Sequence, residues 1–479
     1  MIPKVFHTGG KISLLYLLLI ILPLVVSCSG RNQKGKLIIT IEDLNTAVNN
    51  YSTGESWRYP EKSSLIEIDL SAKKKVPRNL TSEFYSACSP DASYDGKKIL
   101  FAGKKEKDDH WQIYEMTLSS GKFRKVIGLE DNCTDPLWLP GGRILFVKSK
   151  FNDTTGLTHN LYTCLPDGSD LRQVTFHPHA DFAPSLLADG RVIYITRRMY
   201  PSKSGPLCYV MRPDGTKADK YFNPEKGNVL LCRARENIDG NVFFIESSDP
   251  QHNGGMLMSV HRNRPLHTRK GWPDFGGKFR SIYINHAGEI YVAWSKPGTY
   301  RFGIYKYDPS GQNTPELIYD EGSANLTDVI VAEAHPRQKK LPSEVDFGVK
   351  TGQIMCQDIN VLGPELKSSK GRNEKAWRIE VLGIGVSLGE VEVEKDGSFY
   401  LKPLANLPFR IQTIDEKGNV LNGPSGWIWL RPNERRGCVG CHEDPELVPE
   451  NRIPRAVKKF PVIIPTHIKK IKEKLIEDE

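Results

Sequence analysis

A repeat limits what this chain can fold into more than any other feature. Five times a glycine turn feeds an apolar run: "YDGKKILFAG", "LPGGRILFVK", "ADGRVIYITR", "IDGNVFFIES" and "HAGEIYVAWS". The aligned glycines Gly96, Gly142, Gly190, Gly240 and Gly288 recur 46 to 50 residues apart. That is the length of a four-stranded propeller blade, a unit that buries its faces only by stacking on neighbours. Most units continue with a second strand and turn, "WQIYEMTLSSG", "HNLYTCLPDG", "PLCYVMRPDG" and "FGIYKYDPSG", whereas the fourth has "GMLMSVHRN" in that place. Pro-Asp-Gly suits a tight hairpin because proline presets one dihedral and glycine accepts positive φ.

Five units account for residues 85 to 323. A sixth can be assembled from both ends, with "LIEIDLSAKKKVPRNLT" as its outer strands and "ANLTDVIVAEA" as its inner one. Closing a ring this way removes exposed sheet edges. The expected fold is all-β, a six-bladed TolB/WD40-like propeller over residues 55–336, with seven blades as the alternative. After the linker "HPRQKKLPSEVDFGVK", residues 350–432 lose the blade period. They carry strand-turn-strand signatures, "GEVEVEKDGSFYLKPL" and "FRIQTIDEKGNVL", with Asp396-Gly397 and Lys417-Gly418 at the turns. A small β-sandwich is expected there. Residues 433–455 form a haem-attachment segment, for the reason given below, and 456–479 a charged tail, either a solvated terminal helix or a disordered end.

At the other end, Lys4 and Lys11 precede the run "ISLLYLLLIILPLVVS", which has the length of a signal-peptide core. It ends in Val25-Val26-Ser27-Cys28, which resembles a bacterial lipobox. Residues 1–28 are therefore expected to be a lipoprotein signal with Cys28 lipidated, and 29–54 a flexible tether; a plain membrane anchor is the alternative. Both place the body outside the cytoplasm, facing the periplasm or on the cell surface, and held to a membrane. The net charge of +9 is spread along the chain without aromatic interleaving, which argues against nucleic-acid binding.

Late in the chain stands "RRGCVGCHEDPE". Cys438 and Cys441 on one short turn have the spacing that adds two thiols to the vinyl groups of haem, and the adjacent His442 then reaches the iron from one face. One covalent haem c is expected, with a disulfide or an incidental match as the alternatives. Zinc would need ligands from a distant segment. Six other cysteines, Cys88, Cys133, Cys164, Cys208, Cys232 and Cys356, show no tight paired spacing. No methionine follows His442, so a distal ligand would come from the propeller or the sandwich, and the haem would lie at a domain interface. His177 and His179 in "TFHPHADFAP" are the distal candidates, against a bland reading as loop histidines. Arg435 and Arg436 flank the turn and could pair with haem propionates. Trp427 and Trp429 alternate along one strand face and read as sandwich core or haem wall.

The segment "GWIWLRPNERRGCVGCHEDPELVPENRIP" behind a repeat-bearing propeller, together with "LLCRARENIDGNVFFIES", resembles the hydrazine synthase alpha subunit family over residues 55–455. The resemblance implies thioether attachment at Cys438 and Cys441 and a metal-facing His442. In that family a tyrosine a helical turn past the histidine holds the iron. The position four beyond His442 is Glu446 here, so the hydrazine-forming reaction is not carried over; His442 is taken as the proximal ligand, with Glu446 as the alternative. Two functions compete: a redox haem protein that passes electrons to a partner protein or acts on a small molecule, and a propeller-based binding scaffold with a structural haem. A propeller-gated peptidase fails for want of a G-x-S-x-G elbow.

Overall fold

The computed structural model describes residues 35–43, 59–249, 254–299, 301–362, 375–440, 446 and 450–466. These are almost entirely β. The first repeat unit is a four-stranded antiparallel sheet running in order from Ser86–Ala92 to Phe123–Ile127. The second and third, from Cys133–Trp138 to Arg172–Gln173 and from His179–Leu186 to Asp219–Phe222, are joined into one larger sheet by a parallel pairing of His159 with Ala180. The fourth ends at Lys270–Gly271, and its inner strand is broken into Val229–Leu230 and Arg235–Glu236. The fifth runs from Lys278–Ile284 to Glu316–Tyr319. All five repeat glycines sit at positive φ, between 66° and 88°, which explains their recurrence. Gly190 also has no room for a side chain, since a Cβ there would stand 1.9 Å from the Lys339 carbonyl oxygen of the linker passing beneath.

The remaining propeller sheet has the order Ala324–Ala332, Lys36–Asp43, Ser64–Asp69, Arg78–Asn79. Strands from both ends of the propeller thus pair, as the sequence implies, but an extra partner lies between them. Lys36–Asp43 falls within the expected 29–54 tether and is instead a central strand, paired from Lys36↔Ala332 to Asp43↔Ala324 on one side. Its run "LIITI" is apolar on both faces; Leu37, Ile38 and Ile39 are fully buried against neighbouring units on either side. A strand covered on both faces lacks the alternation by which a surface strand is recognised.

The inner strands share one irregularity. Ser89, Asp135 and Ala183 have φ near +50°, each precedes a proline, and the ladder slips at each of them. Such a bulge re-aims the strand and frees side chains to reach the next unit. The Asp91 carboxylate accepts from the Trp138 backbone N–H at 2.9 Å, Asp135 from that of Ala183 at 2.8 Å, and the Ser185 hydroxyl donates to the Ala234 carbonyl at 2.6 Å. The first four units are therefore clipped inner strand to inner strand.

Beyond the linker, two four-stranded sheets face each other. One has the order Arg435–Cys438, Gln353–Cys356, Phe399–Pro403, Val462–Ile464; the other Ser387–Glu392, Arg378–Leu382, Arg410–Ile414, Val420–Asn422. Ile354, Leu401, Ile379, Val381 and Leu430 fill the space between them. The sandwich thus extends past residue 432: the attachment segment supplies an edge strand, and Val462–Ile464, within the expected tail, pairs parallel with Phe399–Pro403. Residues 467–479 lie outside the described residues.

Candidate functional site

Cys438 ends the edge strand Arg435–Cys438, opposite Cys356 in a parallel register. Cys441, His442 and the lipobox Cys28 lie outside the described residues. The flanks of the motif are nonetheless fixed, and both rest on the propeller. Before it, Glu434 is fully buried: one carboxylate oxygen accepts from the Lys217 backbone N–H of the third unit at 2.8 Å, and the other from its own chain at Arg431, also 2.8 Å. After it, the Glu446 carboxylate accepts from the Leu266 backbone N–H of the fourth unit at 2.7 Å, with Arg264 at 3.5 Å and His267 at 3.8 Å. Of the two arginines expected to meet propionates, Arg436 is paired with Glu434 at 2.7 Å, and Arg435 is exposed. Glu446, the alternative iron ligand, already has one oxygen committed to the propeller.

The strap between the domains explains how the flanks come to rest there. Residues 427–431 alternate: Ile428 and Leu430 face the sandwich core, whereas Trp427, Trp429 and Arg431 face the propeller. Trp427 donates from its indole nitrogen to the Tyr200 carbonyl at 3.0 Å. Trp429 is 1% exposed and sits among Leu137, Val174 and Tyr194. Arg431 donates to the Asp214 carbonyl at 3.0 Å and to Asn406 at 2.6 Å, and lies over the Phe176 ring; burial brings its guanidinium down to about 10. The alternation read from the sequence holds, but the tryptophan face belongs to the domain junction rather than to the sandwich core.

His177 and His179 lie at that junction. Their rings stack with centroids 3.8 Å apart, and Trp429 meets His177 edge-on at 4.5 Å. The sharing of protons fixes the tautomers. Asp181, fully buried, accepts from Thr175 at 2.7 Å and Thr196 at 2.6 Å, and from His177 Nε2 at 2.8 Å. Thr196 has spent its one proton on Asp181, so His179 Nδ1, 3.0 Å away, must donate to it. His179 Nε2 is then a lone pair, and both it and His177 Nδ1 are buried and unpartnered among the described residues. Two histidines oriented by a carboxylate are what a metal centre uses, and His177, His179 and Asp181 do bring ligand atoms together. Nearly parallel rings at 3.8 Å cannot, however, aim in-plane lone pairs at one ion about 2 Å from each nitrogen. At 1% and 5% exposure they also offer a porphyrin no face to approach. Burial, and next the neighbouring His177, hold His179 well below the ordinary imidazole range.

The channel holds residues the sequence reading passed over. Arg233, 6% exposed, projects from the break in the fourth unit's inner strand and crosses to the bulges of the first and second, donating to the Pro90 carbonyl at 3.3 Å and the Pro136 carbonyl at 3.1 Å. Asp91 and Asp135 stand 4.0 and 3.8 Å from its guanidinium. Burial raises the Asp91 and Asp328 carboxyls, a rise that Arg233 opposes. Around this bridge is a small chamber of about 50 Å³, with Cys88 and Cys232 in its wall. The signal was present in the sequence: Pro90, Pro136 and Pro184 recur at the repeat spacing, each in a strand that proline should avoid.

Residues 329–443 match the family described as "Hydrazine synthase alpha subunit middle domain". The chain is similar to hydrazine synthase subunit alpha of Kuenenia stuttgartiensis, at 23% identity over 514 aligned positions that take in 80% of this chain and 63% of the relative. It therefore spans less than two thirds of that protein's length. The structure of Kuenenia stuttgartiensis hydrazine synthase superposes with a TM-score of 0.76 at 18% identity, covering 89% of this chain and 71% of the other. The chain is thus hydrazine synthase alpha-like, with the same fold through propeller and sandwich.

Proposed function

We propose that this hydrazine synthase alpha-like chain is an exported, lipid-anchored c-type haem protein with a redox role, carrying one haem at the junction of its two domains. The observation that carries the reading is the seating of both flanks of Cys438-x-x-Cys441-His442: Glu434 on the third propeller unit and Glu446 on the fourth. An attachment loop spanning two seats on another domain would present its haem at an interface. Bound haem supplies one-electron exchange and, where one axial position stays open, a site for a small ligand. The protein's part is to hold the thioether turn with the edge strand Arg435–Cys438, to turn His442 to the iron, and to lower solvent access with the propeller wall. With His177 and His179 enclosed, neither would ligate a haem held by His442, which would leave its sixth position weak or open, and a partner protein would exchange electrons at the junction.

A pyridine haemochrome spectrum of the purified protein tests this. The expected result is one haem per chain that survives acid-acetone extraction, and its loss in Cys438→Ala/Cys441→Ala with far-UV circular dichroism unchanged. Haem that extracts freely from wild type would sink the thioether assignment. A low-spin ferric spectrum with no carbon monoxide shift after reduction would sink the open position.

A further inference from the structure

The closing sheet of the propeller fixes the face at which the N-terminal chain enters. Lys36 pairs with Ala332 on one side and Asp69 on the other, so the strand Lys36–Asp43 begins where Ser64–Asp69 turns back through residues 70–77 and where the linker leaves. The first unit's turns join the same end, since Asp95 bridges to Ala334 and the Leu118 N–H donates to the Lys97 carbonyl at 3.0 Å. The linker then crosses the matching turns of the second and third units: the Lys340 side chain lies against Gly141, and the Lys339 N–H donates to the Ala188 carbonyl at 3.4 Å. One end of four consecutive units thus forms a single face around the point where the chain comes in.

That face is basic. Lys73, Lys74, Lys122, Lys339 and Lys340 stand exposed on it, none in a salt bridge among the described residues, and Val76, 63% exposed, shares the turn of the first two. Of the carboxylates there, Glu67 is paired with Lys36 and Arg78, Asp189 with Arg191 and Glu333 with His286, while Asp95 stands beside Lys97. The far end of the first unit has the opposite sign: the turn after Lys98–Lys104 exposes Glu106, Asp108 and Asp109 against Lys107. Unpaired cations gathered on one face repel one another unless an anion meets them. Chain length selects that anion. Only seven residues, 29–35, separate Cys28 from Lys36. Fully extended they span at most about 30 Å, and a flexible stretch of that length averages about 15 Å. A tether over 29–54 would let the propeller hang in any orientation; with Lys36 already in the sheet, a lipid on Cys28 holds this one face toward the bilayer.

Resting on the lipid-anchored reading above, we propose that this face lies on the membrane, its lysines meeting the phosphates of anionic phospholipid headgroups and Val76 entering the headgroup layer. The chain exported behind a cleavable signal so that it begins at residue 29 lacks the lipid and keeps every described residue. It should sediment with vesicles of phosphatidylcholine mixed with phosphatidylglycerol and not with phosphatidylcholine alone. A lysine at an anionic surface is worth about fivefold in binding, so Lys73→Ala/Lys74→Ala should weaken the association about twenty-fivefold. Raising the salt from about 0.1 to 1 M shortens the screening length from about 10 to 3 Å and should release the protein. Lys107→Ala, at the acidic end of the first unit, should bind as wild type does. In the anchored wild type reconstituted in mixed vesicles, Lys73 and Lys74 should be acetylated more slowly than on neutral vesicles, and Lys107 at the same rate on both. An unmodified Cys28 in the mature protein would sink the anchored reading alone, since binding of the unlipidated chain to anionic vesicles would still uphold the face. If that chain binds neither vesicle, or if the Lys73/Lys74 variant binds like the Lys107 control, the cations serve something other than a membrane and this inference is overturned.

Discussion

Trp429 offers the sharpest test of how the two domains are joined. Truncating it to alanine removes a fully buried indole from a pocket formed by Leu137, Val174, Tyr194 and the His177 ring. A buried tryptophan covers roughly 150–250 Å² of surface. At about 25 cal/mol per Å², that is ~4–6 kcal/mol as an upper figure, because the unfolded chain already shields part of it. Cavity relaxation and mutational experience bring the expected loss to about 3–5 kcal/mol. The indole nitrogen of Trp429 has no hydrogen-bond partner among the described residues, so phenylalanine keeps most of the packing and removes an unsatisfied donor. Trp429→Phe leaves a smaller cavity than alanine and should cost about 1–2 kcal/mol, well below the loss in Trp429→Ala. Urea unfolding followed by near-UV circular dichroism measures both, and limited proteolysis of the linker at 337–349 reports whether the sandwich has come away. If Trp429→Ala lies within about 1 kcal/mol of wild type, or if the two variants are equally destabilised, the strap is not the packed joint described above.

The pH dependence of stability should carry the mark of His179. It is held neutral in the fold while the unfolded chain takes up a proton near 6.5, so stability present above that pH is lost as the pH falls through and below it, by up to about 1.4 kcal/mol per unit for one proton. Replacing it in His179→Asn should flatten the urea midpoint between pH 7 and 5.5, and parallel profiles for the two proteins would count against a buried neutral imidazole. Asp135→Ala strips acceptors from the Ala183 N–H and the Ser89 hydroxyl and should cost about 2–4 kcal/mol by thermal melting; an unchanged midpoint would mean the clips between units do not hold the ring. Cys28→Ala should leave the protein unprocessed or released from membranes, whereas an unmodified peptide spanning residues 20–35 in the mature wild type would rule out lipidation there.

Much of the architecture was legible because it is periodic. The glycines near every forty-eighth residue must take positive φ whatever the rest of the chain does, and alternating runs such as "GEVEVEKDGSFYLKPL" declare strands through local geometry. Strand Lys36–Asp43 was missed for the opposite reason: buried on both faces, it looks like any short apolar run beside a polar stretch, and only its pairing with Ala324–Ala332 shows what it is.

Chemistry divides along the same line. The sequence by itself determined the all-β repeat fold and the Cys-x-x-Cys-His turn, because both are written in residues close along the chain. Tertiary structure alone decided that the tryptophan face meets the propeller, that His177 and His179 are closed in around Asp181, and that Glu446 is held by Leu266. It alone placed Lys217 against Glu434, 217 residues apart, and gathered Arg212, Lys220 and Tyr221 in one cleft with Glu446. Spacing fixes what neighbours on one strand or turn can do, whereas the partners of a buried polar group are chosen by which distant segments must pack together to keep apolar surface from water.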